Sequence, residues 1–281
     1  MPTSSSFTEA RLAFGKRLRR LREDSGLSAR ELARRCGWHE SKCSRIENGN
    51  VRVSTETIEK WVRACGAEAL IDELIEAARG IEGMYVEWQE MERSGLRQAQ
   101  DTVRPLWDRT KRFRAYAQNL IPGPLQTPEY TKAVLAGIRE RRHLPDDIEA
   151  AVAVREERQT VLNEQNKAFH IVLEEGALYR RIGSPELMTN QLGRLIQISV
   201  LPHVRLGIIP RDADRSRMPP VEDFWIFDDR QVNVELVSAY LTVKQTHEIK
   251  LYTGDFRRLS DLAEHGGPVF ALIASAINSY S

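Results

Sequence analysis

Ser28-Ala-Arg-Glu31-Leu-Ala33-Arg-Arg-Cys-Gly37-Trp-His-Glu40-Ser-Lys-Cys-Ser-Arg45-Ile-Glu-Asn-Gly49 reads as a helix, a tight turn and a second helix. Ser28 with Glu31 three residues later is a capping box, in which Ser28 accepts from the Glu31 amide while Glu31 reaches back. Gly37 breaks the first helix, and the second, Glu40 to Glu47, is stopped by Asn48-Gly49. Leu32, Cys43 and Ile46 fall on the inner faces, and Ala33 is small where the helices cross. That leaves Glu40, Ser41, Lys42, Ser44 and Arg45 pointing outward. Such a set is polar and rich in donors, as base edges in the major groove require of the helix that reads them.

Outward from this stretch the pattern stays helical. Phe14, Leu18 and Leu21 form one apolar stripe between Thr8 and Asp24, and Gly26 ends that helix. Ser54 opens a helix carrying Ile58, Trp61, Val62 and Cys65, and Ala67 to Arg79 carries Leu70, Ile71, Leu74 and Ile75. Residues 1–80 are therefore predicted to form an all-α five-helix domain. Charge is concentrated there. Eleven Lys and Arg stand against four acids between Arg11 and Arg45, on a chain of 281 residues whose net charge is only +1. A basic segment on an otherwise acidic chain is the footprint of a phosphate-contacting face.

The words Gly26-Leu-Ser-x-x-Glu-Leu-Ala33 and Gly37-Trp-x-x-Ser-Lys-x-Ser-Arg-Ile-Glu-Asn-Gly49 resemble the DNA-binding domain of the xenobiotic-response-element family, which includes the phage repressors. The resemblance covers about residues 10 to 79 and implies a lambda-repressor-like fold. It puts Glu40, Ser41 and Arg45 at base-reading positions, with Lys42 on a base or a neighbouring phosphate. It puts Ser28, Arg30, Asn48 and Arg52 near phosphates, the first two through the N-terminus of the first helix of the motif. Arg22 and Glu47 fall where phage repressors carry a buried ion pair. The sequence departs from the family at Ala29, where many members have a glutamine that bonds phosphate and braces the reading helix.

Ile81 to Asp108 reads as a helical connector (residues 81–110), with Met84, Trp88 and Met91 on one stripe and a break at Ser94-Gly95. Residues 111–281 then mix helices with strands. Strand candidates are Arg112 to Leu120, Phe169 to Leu173, Val204 to Ile209, Phe224 to Phe227, Val232 to Val237 and Tyr240 to Val243, with a hairpin turn at Asp228 to Gln231. The irregular mixture of helices and antiparallel pieces predicts a larger α+β domain.

The words Ile121-Pro-Gly-Pro-Leu-Gln-Thr-Pro-Glu-Tyr130, Arg155-x-x-Arg-Gln159, Glu174-Glu-Gly-Ala-Leu178 and Leu201-Pro-His-Val204 resemble the WhiJ-like regulators of filamentous actinobacteria. Those regulators pair the helix-turn-helix with an antitoxin-like C-terminal domain. The resemblance implies a repressor that dimerises and answers to a small separate partner protein encoded nearby, or to a ligand. Gln126, Glu129 and Tyr130 are the candidate positions for that partner or ligand. Arg155 and Arg158, three apart on one helix face, are read as pairing with Glu174 rather than binding an anionic ligand.

Nothing in the chain reads as an active site. The six histidines show no metal spacing, and no glycine-rich phosphate loop or nucleophile elbow is present. His170 reads as a satisfied interior imidazole. Cys36, Cys43 and Cys65 are spaced as neither a zinc site nor a redox pair and read as reduced core residues. No cofactor or metal is expected. No apolar run approaches the roughly 18 to 20 residues that span a bilayer, and the N-terminus lacks a signal-peptide pattern, so a cytoplasmic address is expected. The reading is a sequence-specific DNA-binding transcriptional regulator and not an enzyme; a DNA-tethered enzyme with catalysis in the C-terminal domain is the alternative.

Overall fold

The computed structural model describes residues 5–82, 85–87, 91–92, 95–237 and 239–280. The chain divides into two compact units, Met1–Val86 and Glu87–Ser281. Among the described residues no helix is long and apolar enough to cross a membrane.

The N-terminal unit is helical: α1 (Ser5–Asp24), α2 (Ala29–Cys36), α3 (Glu40–Glu47), α4 (Thr55–Ala64) and α5 (Ile71–Glu82), the last preceded by a 3-10 turn at Glu68–Leu70. Its core is Phe14, Leu18, Leu32, Ile46, Ile58 and Trp61, closed by Leu74 from α5. The Trp61 indole satisfies its one donor by bonding the Leu18 carbonyl at 3.1 Å. Gly37 ends α2 at φ 70°, a conformation that favours glycine. Gly15 lets α1 cross close over α3, since a Cβ there would lie 2.5 Å from the Ile46 and Glu47 carbonyl oxygens. Ser28 caps α2 by accepting from the Glu31 amide at 3.1 Å. The second half of the capping box is absent, because the Glu31 carboxylate is held by Arg34 and Arg35 instead. Of the three free thiols, Cys43 lies in the core, whereas Cys36 and Cys65 are only half-buried at its margin.

The segment expected to be a helical connector is not helical throughout. Tyr85–Glu87 is a short strand, β1, Met91 is helical, and α6 (Leu96–Thr102) and α7 (Arg104–Arg109) follow. Met84 and Trp88 lie outside the described residues. The start of α6 is capped from far along the chain: Asp147 accepts from the Leu96 and Arg97 amides at 3.1 and 2.9 Å. Gly95, at φ 101°, makes room, because a Cβ there would meet the Asp147 carboxylate.

Within the C-terminal unit seven strands form one sheet in the order β7-β6-β5-β2-β3-β4-β8. They are β2 (Arg112–Ala117), β3 (Ala168–Glu174), β4 (Val204–Ile209), β5 (Phe224–Phe227), β6 (Gln231–Glu235), β7 (Ala239–Val243) and β8 (Glu264–His265). The expected antiparallel pieces occupy the flanks. The centre, β2-β3-β4, is parallel. Parallel neighbours need long crossovers, and helices supply them: α8 (Pro128–Arg142) and α9 (Ile148–Gln159) between β2 and β3, and α10 (Gly176–Tyr179) and α11 (Pro185–Ser199) between β3 and β4. Burial on both faces accounts for the near-continuous apolar run Ile171 to Leu173 in β3. Phe113, Phe169, Leu195 and Ile273 belong to the core of one face, which takes in α11 and α13 (Gly267–Asn278). The other face carries Tyr116 and Phe224 against α12 (Thr246–Leu262), whose Phe256 lies beside Phe224. Asp228 and Asp229, at φ 50° and 55°, make the β5–β6 hairpin turn, a backbone that matches the twist of the strands.

Candidate nucleic-acid interface

In the N-terminal unit α3 is held from beneath and bare on top. Beneath it, Cys43 and Ile46 are buried, and Glu47 at its last position is 8% exposed. Glu47 receives the Arg22 guanidinium in a bidentate pair, Nε to Oε1 at 2.6 Å and Nη2 to Oε2 at 3.2 Å. Arg22 also donates to the Leu27 carbonyl at 2.8 Å, so one side chain ties the end of α1 to the loop before α2 and the end of α3. The Glu47 hydrogen bonds keep the guanidinium above its usual range and firmly charged. A bidentate arginine–carboxylate pair fixes direction as well as distance.

On the open side Glu40, Ser41, Ser44 and Arg45 are exposed, and Lys42 is half-buried. The Glu40 carboxylate and the Arg45 guanidinium meet no hydrogen-bond or ion-pair partner among the described residues. Lys42 lies 4.1 Å from the centroid of the Trp38 ring, a cation–π contact that steadies its stem, and Trp38 in turn leans on Trp61. The α3 N-cap is His39, whose Nδ1 accepts from the Ser41 amide at 3.3 Å and lies 2.9 Å from the Ser41 hydroxyl. Sequence reasoning passed over His39 because histidine is not among the favoured N-cap residues. Its position just before α3 was the available signal.

The positions assigned to phosphate also lie on the surface. Ser28, Arg30, Asn48 and Arg52 are all exposed. The Ser28 oxygen accepts within the cap and its hydroxyl proton is left to donate. The Asn48 amide nitrogen already gives one proton to the Ser44 carbonyl at 2.9 Å, closing α3. Much of the local positive charge is neutralised at home: Arg17 pairs with Glu73, Arg19 with Glu23, and Arg34 and Arg35 with Glu31. Bonds from those two arginines pull the Glu31 carboxyl down to about 2. Arg30 and Arg45 have no such carboxylate among the described residues.

Residues 13–74 match the helix-turn-helix domain family, a match that spans α2, α3 and the core beneath them. Residues 106–274, more than half the chain, match the domain of unknown function DUF5753. The chain belongs to the DUF5753 family. No curated protein matches it. In this DUF5753 protein the helix-turn-helix domain marks a DNA-binding transcription regulator.

The C-terminal candidates do not converge. Tyr130 is wholly buried in the core, where burial pushes its phenol up to about 12, so it offers no surface to a partner. Gln126 is buried too, donating to the Ile121 carbonyl at 2.7 Å and accepting from Thr131 and Arg155. Glu129 alone is exposed, in the first turn of α8. The expected pairing of Arg155 and Arg158 with Glu174 is also overturned. Glu174 takes the Arg215 guanidinium at 2.9 Å and the Tyr116 hydroxyl at 2.6 Å. Arg155 and Arg158 instead converge on Gln100. The Tyr116 and Arg215 groups lie far along the chain from Glu174, beyond the reach of helix-face spacing.

Proposed function

We propose that this DUF5753 protein is a sequence-specific repressor that binds a two-fold operator as a homodimer, reading bases with Glu40, Ser41, Lys42 and Arg45 of α3. The observation that carries the reading is the contrast between the two sides of α3. Its inner side is clamped by the Arg22–Glu47 pair, and its outer side presents Glu40 and Arg45, which meet no hydrogen-bond or ion-pair partner among the described residues. A helix held this way enters the major groove without having to order its frame first. Ser28, Arg30, Asn48 and Arg52 would hold the flanking phosphates, and the place of the missing glutamine at Ala29 would be taken by Arg30. The C-terminal unit would dimerise and receive the regulatory signal, from a small partner protein of the kind found with the WhiJ-like group or from a ligand, acting by binding rather than catalysis. Such a repressor works in the cytoplasm, beside the DNA.

Selection of bound duplexes from a random pool with the full chain, followed by footprinting, tests this reading. The expected product is a pseudopalindrome with half-sites about one helical turn apart, roughly 34 Å. Sedimentation of the chain with that duplex should give two protomers per site. Recovery of no enriched sequence, or one protomer on a single half-site, overturns it.

A further inference from the structure

Arg155 and Arg158 on α9 line a cleft of about 570 Å³ in the C-terminal unit, a size usual for small-molecule sites. Their hydrogen-bond partners are neutral. Arg155 donates to the side-chain oxygens of Gln100 and Gln126, each at 3.1 Å. Arg158 donates to the Gln100 carbonyl and side-chain oxygen, each at 3.0 Å, and its guanidinium lies 5.2 Å from the Trp107 ring centroid. No carboxylate comes within ion-pair distance of either among the described residues. Burial lowers both guanidiniums, Arg158 to about 10, and arginine keeps its charge in proteins. Two adjacent half-buried cations, each with N–H donors left over, face the cleft; among the described residues neither is bonded to a charged group, and Glu235 acts on both through space.

The rest of the cleft narrows the occupant. Trp107 and Trp225, whose ring centroids are 5.1 Å apart and whose planes are tilted by 57°, give it an aromatic corner. Glu222, Asp223 and Glu235 line it as well, against two further arginines, Arg141 and the Glu92-paired Arg142, so a second negative charge on the occupant would meet repulsion from the acids. Gln126, expected on sequence grounds to touch a partner, lies here as a brace that aims Arg155.

We propose that this cleft binds a small organic monocarboxylate, its carboxylate received by Arg155 and Arg158 and its body laid along Trp107 and Trp225. A single carboxylate satisfies a pair of guanidiniums by charge-assisted bonds, whereas a phosphate ester brings the second charge that the acids oppose. Calling the occupant a regulator rests on the proposed function; its binding does not.

The test titrates the full chain with benzoate and indole-3-acetate, with benzamide and indole-3-acetamide as uncharged counterparts and phenyl phosphate as the dianion, followed by calorimetry. The carboxylates should bind saturably below millimolar concentration and at least ten-fold more tightly than the amides or the phosphate. Arg155→Gln and Arg158→Gln should each weaken them ten-fold or more, while Arg217→Gln, at an exposed arginine outside the cleft lining, should leave them unchanged. Should an arginine variant fail to fold, the arginine side-chain NMR signals of the unaltered chain serve instead, since two of them should shift with benzoate and stay still with benzamide. Absence of carboxylate binding, equal binding of the amides, or unshifted arginine signals overturns the proposal. DNA selection is scored separately, so its failure would overturn the repressor reading alone and leave the titration standing.

Discussion

The Arg22 guanidinium holds both carboxylate oxygens of Glu47 across 25 positions of sequence, and both residues are more than nine-tenths buried. Breaking a pair of this kind from one side strands the other charge in the core. Glu47→Ala is therefore expected to cost about 3–5 kcal/mol. Replacing both members, Arg22→Met with Glu47→Leu, should recover most of that loss. Urea unfolding followed by circular dichroism measures both; a double variant as unstable as the single one would show that the pair contributes more than mutual neutralisation.

Arg45→Ala removes an exposed guanidinium that meets no hydrogen-bond or ion-pair partner within the described protein, so folding stability should hardly move. Affinity for the selected operator should fall by about 1–3 kcal/mol with little change on random duplex. Arg30→Ala should instead lower affinity on all sequences and reduce the salt dependence by about one counterion. Equal losses on operator and random DNA for Arg45→Ala would remove it from the base-reading set.

Two glycines in helices predict opposite signs. At Gly15 a Cβ would run into the carbonyls of Ile46 and Glu47, so Gly15→Ala should destabilise the N-terminal unit by about 1–3 kcal/mol. At Gly80 in α5 nothing lies within 4 Å, and Gly80→Ala should stabilise by about 0.5–1 kcal/mol. Thermal unfolding of the two variants side by side tests the crossing of α1 over α3 directly.

His170 is half-buried, edge-on to Phe256 at 4.9 Å between centroids and 3.2 Å from the Ser260 hydroxyl. Burial, then the charges of Arg205, His265 and Arg114, pull its imidazole from 6.5 down to about 4. Between those values the unfolded chain binds the proton and the folded chain does not. Stability of the C-terminal unit should therefore be complete above pH 6.5 and fall as the pH drops toward 4. His170→Asn should flatten that slope, and the His170 ring proton should titrate near 4 by NMR; a midpoint near 6.5 would contradict the burial.

The helix-turn-helix was legible because its constraints are local. Ser28, Gly37 and Gly49 punctuate the chain at turns, and the apolar stripe repeats within a few residues. The partner of Arg22 was reachable only by resemblance, since no periodicity connects α1 to the end of α3. In the C-terminal unit the strands were visible one by one, but their pairing was not. An apolar run such as Phe169 to Leu173 carries no mark of whether its neighbours run parallel, and that choice is made by α8, α9 and α11 packing across the faces. The burial of two of the partner or ligand candidates was hidden for the same reason. Gln126 and Tyr130 are polar residues in a turn-rich segment, which reads as surface, yet the crossover carries both inward.

Asp147 reaches back fifty positions to cap α6, and Leu96 of that helix packs with Leu135, Ile148 and Ala151. The family match begins at residue 106, ten residues after this packing starts. The cooperative block is thus larger than the recognisable one. A fragment cut at the family boundary would expose the apolar side of α9, leave Asp147 without its amides and take Gln100 away from Arg155 and Arg158. Excision of the C-terminal unit has to begin ahead of Gly95 to keep its own scaffolding.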